Sequence, residues 1–390
     1  MSTSSTVAPN GATPHSHGPG SIVPIQTRNE RPASFEIADF PQVTGREVDW
    51  KQTPVAKIAE LIAQKVDGSR VDVDAEINGP ASVSWVSMRD AVVGSAGKPE
   101  DRASAVAWES TEDALLIDIS ADDISEVTVT RNGLDTTPRA AHTVIRVAPF
   151  AKSTVVLVNE GSATLTENVE IIAGESSNLT VISLQQWNDD AQHLASHFTR
   201  TEKDASVKHV VISLSGAIVR VNPQTQLVGE GSAVDMLGLY FADAAQHLEH
   251  QVYVHHVGPH TKSRVNYKGA LQGEGARTVW IGDVLIGHEA VGTDSYEQNR
   301  NLILTDGTRA DSIPNLEIKT GDIAGAGHAS ATGRFDDEQL FYLQARGISE
   351  EQARKLVVRG FLNEIVQQIE IEAVAERIQT ALDAELEAIS

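Results

Sequence analysis

The chain has 390 residues, which exceeds one compact core of ordinary size and predicts two or three structural units. Its hydrophobic fraction of 41% supports a sizeable aliphatic core, because aromatic residues make up only 5%. A formal net charge of −23 and a pI of about 4.9 argue against nucleic-acid and anionic-lipid partners, and no apolar run is long enough to predict a membrane span.

The sequence contains no cysteine. This chain therefore has no disulfide and no thiolate of its own, and any metal site in it must use His, Asp or Glu. The same fact favours a cytoplasmic protein. Residues 1–28 are rich in Ser, Thr, Pro and Gly and lack the features of a secretory signal, so we expect a disordered tail in which His15 and His17 are solvated.

The region between residue 30 and about residue 115 has a mixed pattern of short helices or strands joined by turns. Within it, the apolar residues from Thr53 to Val66 recur at helical spacing. Pro54 falls in the first turn of this segment, where its missing N–H costs little. The segment is therefore predicted to be a helix.

From Asp113 to Ile323 the chain consists of short β-branched runs, separated about every 8 to 14 residues by Gly, Asn, Ser or Asp. This pattern predicts a many-stranded all-β region, either a sandwich or barrel or a solenoid. The segments NEGSA at Asn159, GEGSA at Gly229 and GEGAR at Gly273 resemble one another and favour the solenoid. The last two are 44 residues apart, which predicts two coils of about 22 residues each.

After Gly333 the pattern becomes helical. Asp336 and Gln339 have the spacing of a capping box, and Gly347 is placed to end that helix in a left-handed conformation. Ser349 begins a second helix in the same way, and its apolar stripe continues weakly to about Leu386.

Two groups of histidines are candidates for function. His247, His250, His255, His256 and His260 fall within 14 residues and could form a metal site. However, adjacent residues of a strand point to opposite faces and no carboxylate partner stands out, so turn and surface histidines are the favoured interpretation.

His328 is different, because no bulky residue occurs within four positions on either side. We interpret this segment as a bare loop whose permissive backbone lets another surface approach closely, although an ordinary loop histidine fits the residues equally well. The glycine-rich GEGSAVD and GEGART fit neither phosphate-loop pattern, and no G-x-S-x-G elbow occurs.

Four segments together resemble a known family: GREVDWKQTP, VEIIAGESSNLTVISLQQW, the long run from Gly269 to Ile318, and GHASATGRFDDEQLFYLQARGISEEQA. They are similar to the SufB/SufD family of iron–sulfur cluster assembly scaffolds, and closer to its SufD members than to its SufB members. The resemblance spans roughly residues 30 to 370. It implies a right-handed parallel β-helix at 113–333, preceded by a mostly helical domain at 29–112 and followed by a helical domain at 334–390.

The resemblance also implies a function. The chain would be a non-catalytic subunit that pairs with a SufB paralogue and with the ABC-type ATPase SufC, or with itself when SufB is absent. His328 would then be a ligand to iron or to a nascent cluster shared transiently with SufB, with no permanent cofactor. The ATPase would contact the segment after it, with Phe341, Tyr342, Leu343, Arg346 and Gly347 as candidates.

Some family members have a cysteine two residues before this histidine, where this chain has Ala326. The sulfur acceptor must therefore lie on the partner. Two alternatives stay open: a purely structural scaffold in which His328 binds nothing, and a β-helix polysaccharide lyase, which the acidic charge and the lack of an Asp cluster disfavour.

Overall fold

The computed structural model describes residues 31–120, 124–335 and 337–387. The predicted disordered tail with its two histidines and the capping role of Asp336 lie outside these residues. Within the described ranges, none of the helices has the length and apolar character needed to cross a membrane.

Strands dominate the described chain, and helices lie near its two ends. The helices are α1 (Ala59–Ala63), α2 (Arg102–Ser110), α3 (Asp337–Gln344), α4 (Glu350–Val366) and α5 (Glu372–Glu387). The strands are β1 (Val73–Asn78), β2 (Ala81–Ser87), β3 (Asp113–Ile119), β4 (Ile124–Arg131), β5 (Pro138–Val147), β6 (Lys152–Gly161), β7 (Thr164–Ala173), β8 (Asn178–Trp187), β9 (Gln192–Thr201), β10 (Ser206–Ser213), β11 (Ile218–Leu227), β12 (Ala233–Ala242), β13 (His247–His256), β14 (Lys262–Leu271), β15 (Arg277–Ile286), β16 (Thr293–Ile303), β17 (Arg309–Ile318) and β18 (Ile323–Arg334).

The strands alternate between two sheets. Sheet A has the order β17-β15-β13-β11-β9-β7-β5-β3-β2, and sheet B has the order β1-β4-β6-β8-β10-β12-β14-β16-β18. From β5 onward each strand pairs in parallel with the strand two positions earlier in the chain. A chain that returns to the same sheet after every second strand forms a coil, so β3 to β18 make a parallel β-helix and the predicted fold class is confirmed.

The coils are longer than predicted. Paired residues on successive coils are 26 apart at Gln192–Ile218 and 32 apart at Lys262–Asp294. The prediction of 22-residue coils is therefore wrong. Gly229 precedes β12 of sheet B, whereas Gly273 precedes β15 of sheet A. The two similar segments are thus turns at different corners of the β-helix, one and a half coils apart.

Both sheets are covered on their outer faces, which explains the nearly continuous apolar strands. On sheet B, residues such as Ile182 and Leu239 pack against Leu362 of α4 and Leu382 of α5. Each such side chain stabilises the fold by roughly 1.5–3 kcal/mol when fully buried. Ser349 begins α4 by accepting a hydrogen bond from the Gln352 N–H, as predicted.

Residues before the β-helix cover sheet A. Leu61 of α1 packs in one cluster with Trp50, Leu194 of β9 and Ile218 of β11. The helix predicted from residue 53 to residue 66 is only a 3₁₀ turn at Val55–Lys57 followed by α1, so it is shorter than its apolar spacing suggested. Residues 31–112 thus combine short helices with the strands β1 and β2, and the predicted domain boundaries stay predictions.

Candidate functional site at the last coil

His328 lies on a strand. The interpretation of its segment as a bare loop is wrong, because β18 forms a parallel ladder with β16, in which His328 pairs with Glu297. Small residues such as Gly327 and Ala329 have low strand propensity, but the ladder supplied by β16 overrides it. Residues 324–331 include no β-branched residue, so the sequence gave no signal for this strand.

The register shows that His328 belongs to the interior face of the β-helix. Paired positions on parallel strands point to the same face. The positions below His328 and Glu297 in sheet B, taken from the last coil to the first, are all buried: Val265, Met236, His209, Val181, Val155 and Val127. The imidazole is therefore the last member of an interior column, displayed where the column ends.

The last coil is uncovered. β17 and β18 are the edge strands of the two sheets, and in the part of the chain that the structure describes no strand pairs with their outer sides. His328 retains 43% exposure of its side chain. Helices α4 and α5 pack on the outer face of sheet B. An exposed strand edge offers N–H and C=O groups to a further strand.

Glu297 lies directly beneath His328 and is almost fully buried, with 1% exposure. One carboxyl oxygen is 3.6 Å from Nδ1 of His328, and neither oxygen has a hydrogen-bond partner. Burial, with a smaller effect from Asp283, raises the pKa of Glu297 to about 8. Gly282 provides the room, because a Cβ atom at that position would lie 2.5 Å from a Glu297 oxygen and 2.3 Å from the Trp280 ring.

The sequence did not single out Glu297, although a signal exists. Along β16 the interior positions are the buried Ser295, Glu297, Asn299 and Asn301, and they alternate with more exposed residues such as Tyr296. A period of two therefore identifies the strand. What the sequence does not show is that the polar set of this alternation faces inward.

Three of the five histidines between His247 and His260 are buried in hydrogen-bonded contacts. His247 contacts Glu249 at 2.9 Å, and His250 contacts Ser213 at 3.0 Å. These two histidines and His256 are buried on interior or covered faces. The expectation of turn and surface histidines is wrong for these three. Glu249 is the carboxylate that the sequence did not reveal. His255 is less buried than His256, as expected for opposite faces.

Burial also keeps histidines of this cluster neutral. It lowers the pKa of His250 to about 3 and that of His256 to about 3. Across the described ranges, no group of three or more His, Asp or Glu side chains is arranged to hold a metal ion.

Helix α3 carries most of the other candidate residues. Phe341 is 73% exposed and Tyr342 is 56% exposed, whereas the neighbouring Leu340 is buried. The Arg346 guanidinium lies 4.5 Å from the centre of the Tyr342 ring. Leu343 is partly buried, and Gly347 follows the helix with a φ of 86°, as predicted for a left-handed cap. These residues form an exposed aromatic surface, and they follow β18 in the sequence.

These features define a class of protein: a parallel β-helix that displays an accessible imidazole, His328, at one open end. A family model, SUF system FeS cluster assembly, SufBD core domain, matches residues 129–361. An iron–sulfur cluster assembly SufBD family protein of Mycobacterium leprae is 43% identical over 366 residues, covering 91% of this chain and 93% of the relative. The chain belongs to the SufBD family of iron–sulfur cluster assembly proteins.

Two further relatives bracket the similarity. A SufBD family protein of Mycobacterium bovis is 44% identical over 366 residues and covers 92% of that relative. A second SufBD family protein of the same organism is 27% identical over 208 residues, which is 53% of this chain and 24% of the relative. The first kind of relative resembles this chain over nearly its whole length, whereas the second shares only part of it.

Proposed function

We propose that this chain is the SufD-type scaffold subunit of a SUF assembly complex, which does not itself catalyse a reaction. It pairs with a cysteine-bearing SufB-type paralogue and with a SufC-type ATPase, which hydrolyses the ATP, in the cytoplasm. The observation that carries this proposal is His328, an imidazole on the interior face of an uncovered last coil. A paralogue with the same fold can extend both sheets at that edge.

In this arrangement His328 supplies a ligand to iron or to the nascent cluster at the subunit boundary. Imidazole is a suitable ligand for iron and replaces thiolates in some iron–sulfur centres. Since the sequence has no cysteine, the thiolates come from the paralogue. The iron and the cluster are cargo of the complex. The purely structural alternative shares the fold and the partners and differs only in the role of His328.

The first test is co-purification. The full chain, carrying a tag at its N-terminus that is not polyhistidine, is isolated from its native host and the associated proteins are identified by mass spectrometry. Recovery of an ABC-type ATPase together with a cysteine-bearing SufBD paralogue supports the proposal. Recovery of neither, under conditions that preserve weak complexes, overturns it.

The role of His328 is tested in the reconstituted complex. We expect His328→Ala to reduce cluster formation, followed by visible absorption, by tenfold or more without changing which subunits assemble. His288→Ala is the matched control, because His288 is an exposed histidine in the turn between β15 and β16. Unchanged cluster formation in His328→Ala would leave the purely structural scaffold as the function.

The aromatic surface of α3 is tested separately. We expect the double change Phe341→Ala and Tyr342→Ala to weaken ATPase capture roughly tenfold or more, since exposed aromatic anchors dominate binding energies. Phe150→Ala is the control, because Phe150 is 70% exposed at a distant turn. Equal capture by all three proteins would exclude this surface as the docking site.

A further inference from the structure

The buried carboxyl of Glu297 is the most unusual polar group at the open end. A carboxylate so deeply buried normally has hydrogen-bond partners or a paired cation, because leaving it unpaired costs free energy. Elsewhere in this chain the rule holds. Glu167 is paired with Arg131 and His193, and Glu170 accepts hydrogen bonds from His142 and from two backbone N–H groups. Of these three glutamates, only Glu297 has no hydrogen-bond partner for either oxygen.

The distance to His328 shows what kind of partner would fit. At 3.6 Å, Nδ1 and the carboxyl oxygen are too far apart for a hydrogen bond. Two ligands of one tetrahedral metal ion, each bonded at about 2.0–2.1 Å, lie roughly 3.4 Å from one another. The observed separation is close to the edge of a tetrahedral coordination polyhedron, and it also lies within the range of a His–carboxylate ion pair.

We propose that Glu297 and His328 together chelate one divalent cation of the ferrous type, with Nδ1 and one carboxylate oxygen as the two protein ligands. The inference rests on the proposed function and deepens it, because it makes the iron ligand of this chain a pair rather than a single imidazole. Imidazole combined with carboxylate is a ligand set that suits Fe²⁺. Two ligands leave the other coordination positions for water or for groups of the paralogue.

The surrounding residues support this pair in two ways. Glu297 belongs to the interior column of sheet B, and its carboxyl packs over Gly282, where a Cβ atom would lie 2.5 Å from one of its oxygens. His328 belongs to the same column at the next coil and is still 43% exposed. A cation bound between them is thus held from below by a buried group and can be reached from the open end.

The test is a titration of the isolated full chain with Co²⁺ under anaerobic conditions, with Co²⁺ as a visible-absorbing substitute for Fe²⁺. Glu297→Gln keeps the shape of the side chain and replaces the carboxyl group with an amide, and His328→Ala removes the imidazole. Glu289→Gln and His288→Ala are matched controls, since both residues are exposed in the turn after β15. Far-ultraviolet circular dichroism checks that each variant is folded.

We expect one Co²⁺ to bind with a ligand-field spectrum, and each site variant to weaken that binding at least tenfold while the controls do not. Weakening by His328→Ala but not by Glu297→Gln overturns the inference and leaves His328 as a single ligand. No Co²⁺ binding in the unchanged chain, or equal binding by all variants, also overturns it. Glu297→Gln should still capture the ATPase and the paralogue, so loss of those partners would instead signal failure of the proposed function.

Discussion

The two ends of the β-helix expose strand edges of opposite character. At the N-terminal end the edge strands are short, β1 with 6 residues and β2 with 7, and both pair antiparallel to their neighbours. β1 also carries the exposed charges of Asp74 and Glu76. At the C-terminal end β17 has 10 residues and β18 has 12, and β18 is uncharged from Ile323 to Gly333. Short, charged edges are a common means of preventing strand addition.

The contrast between the two edges indicates which end of the β-helix is available to another chain. The N-terminal edge is protected against pairing, whereas β18 offers a long ladder with small side chains. The interior differs in the same direction. Near the first coil the interior column contains Val127 and Val155, and near the last coil it contains Glu297 and His328. The titratable interior side chains and the strand edge that is free to pair therefore lie at the same end of the β-helix.

The largest effect is expected for a buried carboxylate away from the open end. Glu249→Met should destabilise the protein by about 3–5 kcal/mol, because it removes a partner from Arg220 and His247 in a buried network. In that network the pKa of Glu249 is about 2, since His247 and Arg220 outweigh the effect of burial, which alone would raise it. Urea unfolding measures the change, and a loss below about 1 kcal/mol would contradict the account.

The same substitution at the open end should have the opposite sign. Glu297→Met removes a buried carboxyl that lacks hydrogen-bond partners, so we expect the isolated chain to gain about 1–3 kcal/mol of unfolding free energy. The matched pair of Glu→Met changes is compared by urea unfolding in metal-free buffer. A loss of stability in the Glu297→Met variant would mean that this carboxyl has hydrogen-bond partners in solution. That result would argue against the proposed cation site.

A third effect concerns pH. The folded pKa of His250 is about 3, below its unfolded value of about 6.5, because the side chain is buried. Between these two pKa values the unfolded chain therefore binds more protons than the folded chain. The free energy of unfolding should fall by about 1.4 kcal/mol per pH unit as pH drops below about 6.5. His250→Gln should remove this part of the slope in urea unfolding. An unchanged slope would show that His250 is not buried neutral.

The smallest effect on stability is expected at the edges themselves. Ala331→Glu on β18 should change the unfolding free energy by less than about 0.5 kcal/mol, since Ala331 is exposed, but it should weaken capture of the paralogue. Ala75→Glu on the exposed β1 is the matched control and should leave capture unchanged. If the two variants capture the paralogue equally well, the two edges do not differ as the account requires.

The β-branched runs and glycine turns are local signals that predicted a many-stranded all-β region, and the family resemblance supplied the β-helix. The sequence also directed attention to His328, through the family resemblance and the lack of bulky neighbours. It failed for β18, where the strand is imposed by pairing with β16 rather than by the propensity of Gly and Ala. It missed Glu297 and misplaced His250, because whether an alternating polar residue faces inward depends on how distant coils stack.

We propose that the paralogue pairs with this chain at the last coil. Hydrogen–deuterium exchange of backbone amides, measured on the isolated chain and on its complex with the cysteine-bearing paralogue, tests this most directly. We predict that new protection is concentrated in β17 and β18 and that β1 and β2 exchange as before. Protection at β1 and β2, with β18 unchanged in the complex, would contradict the account.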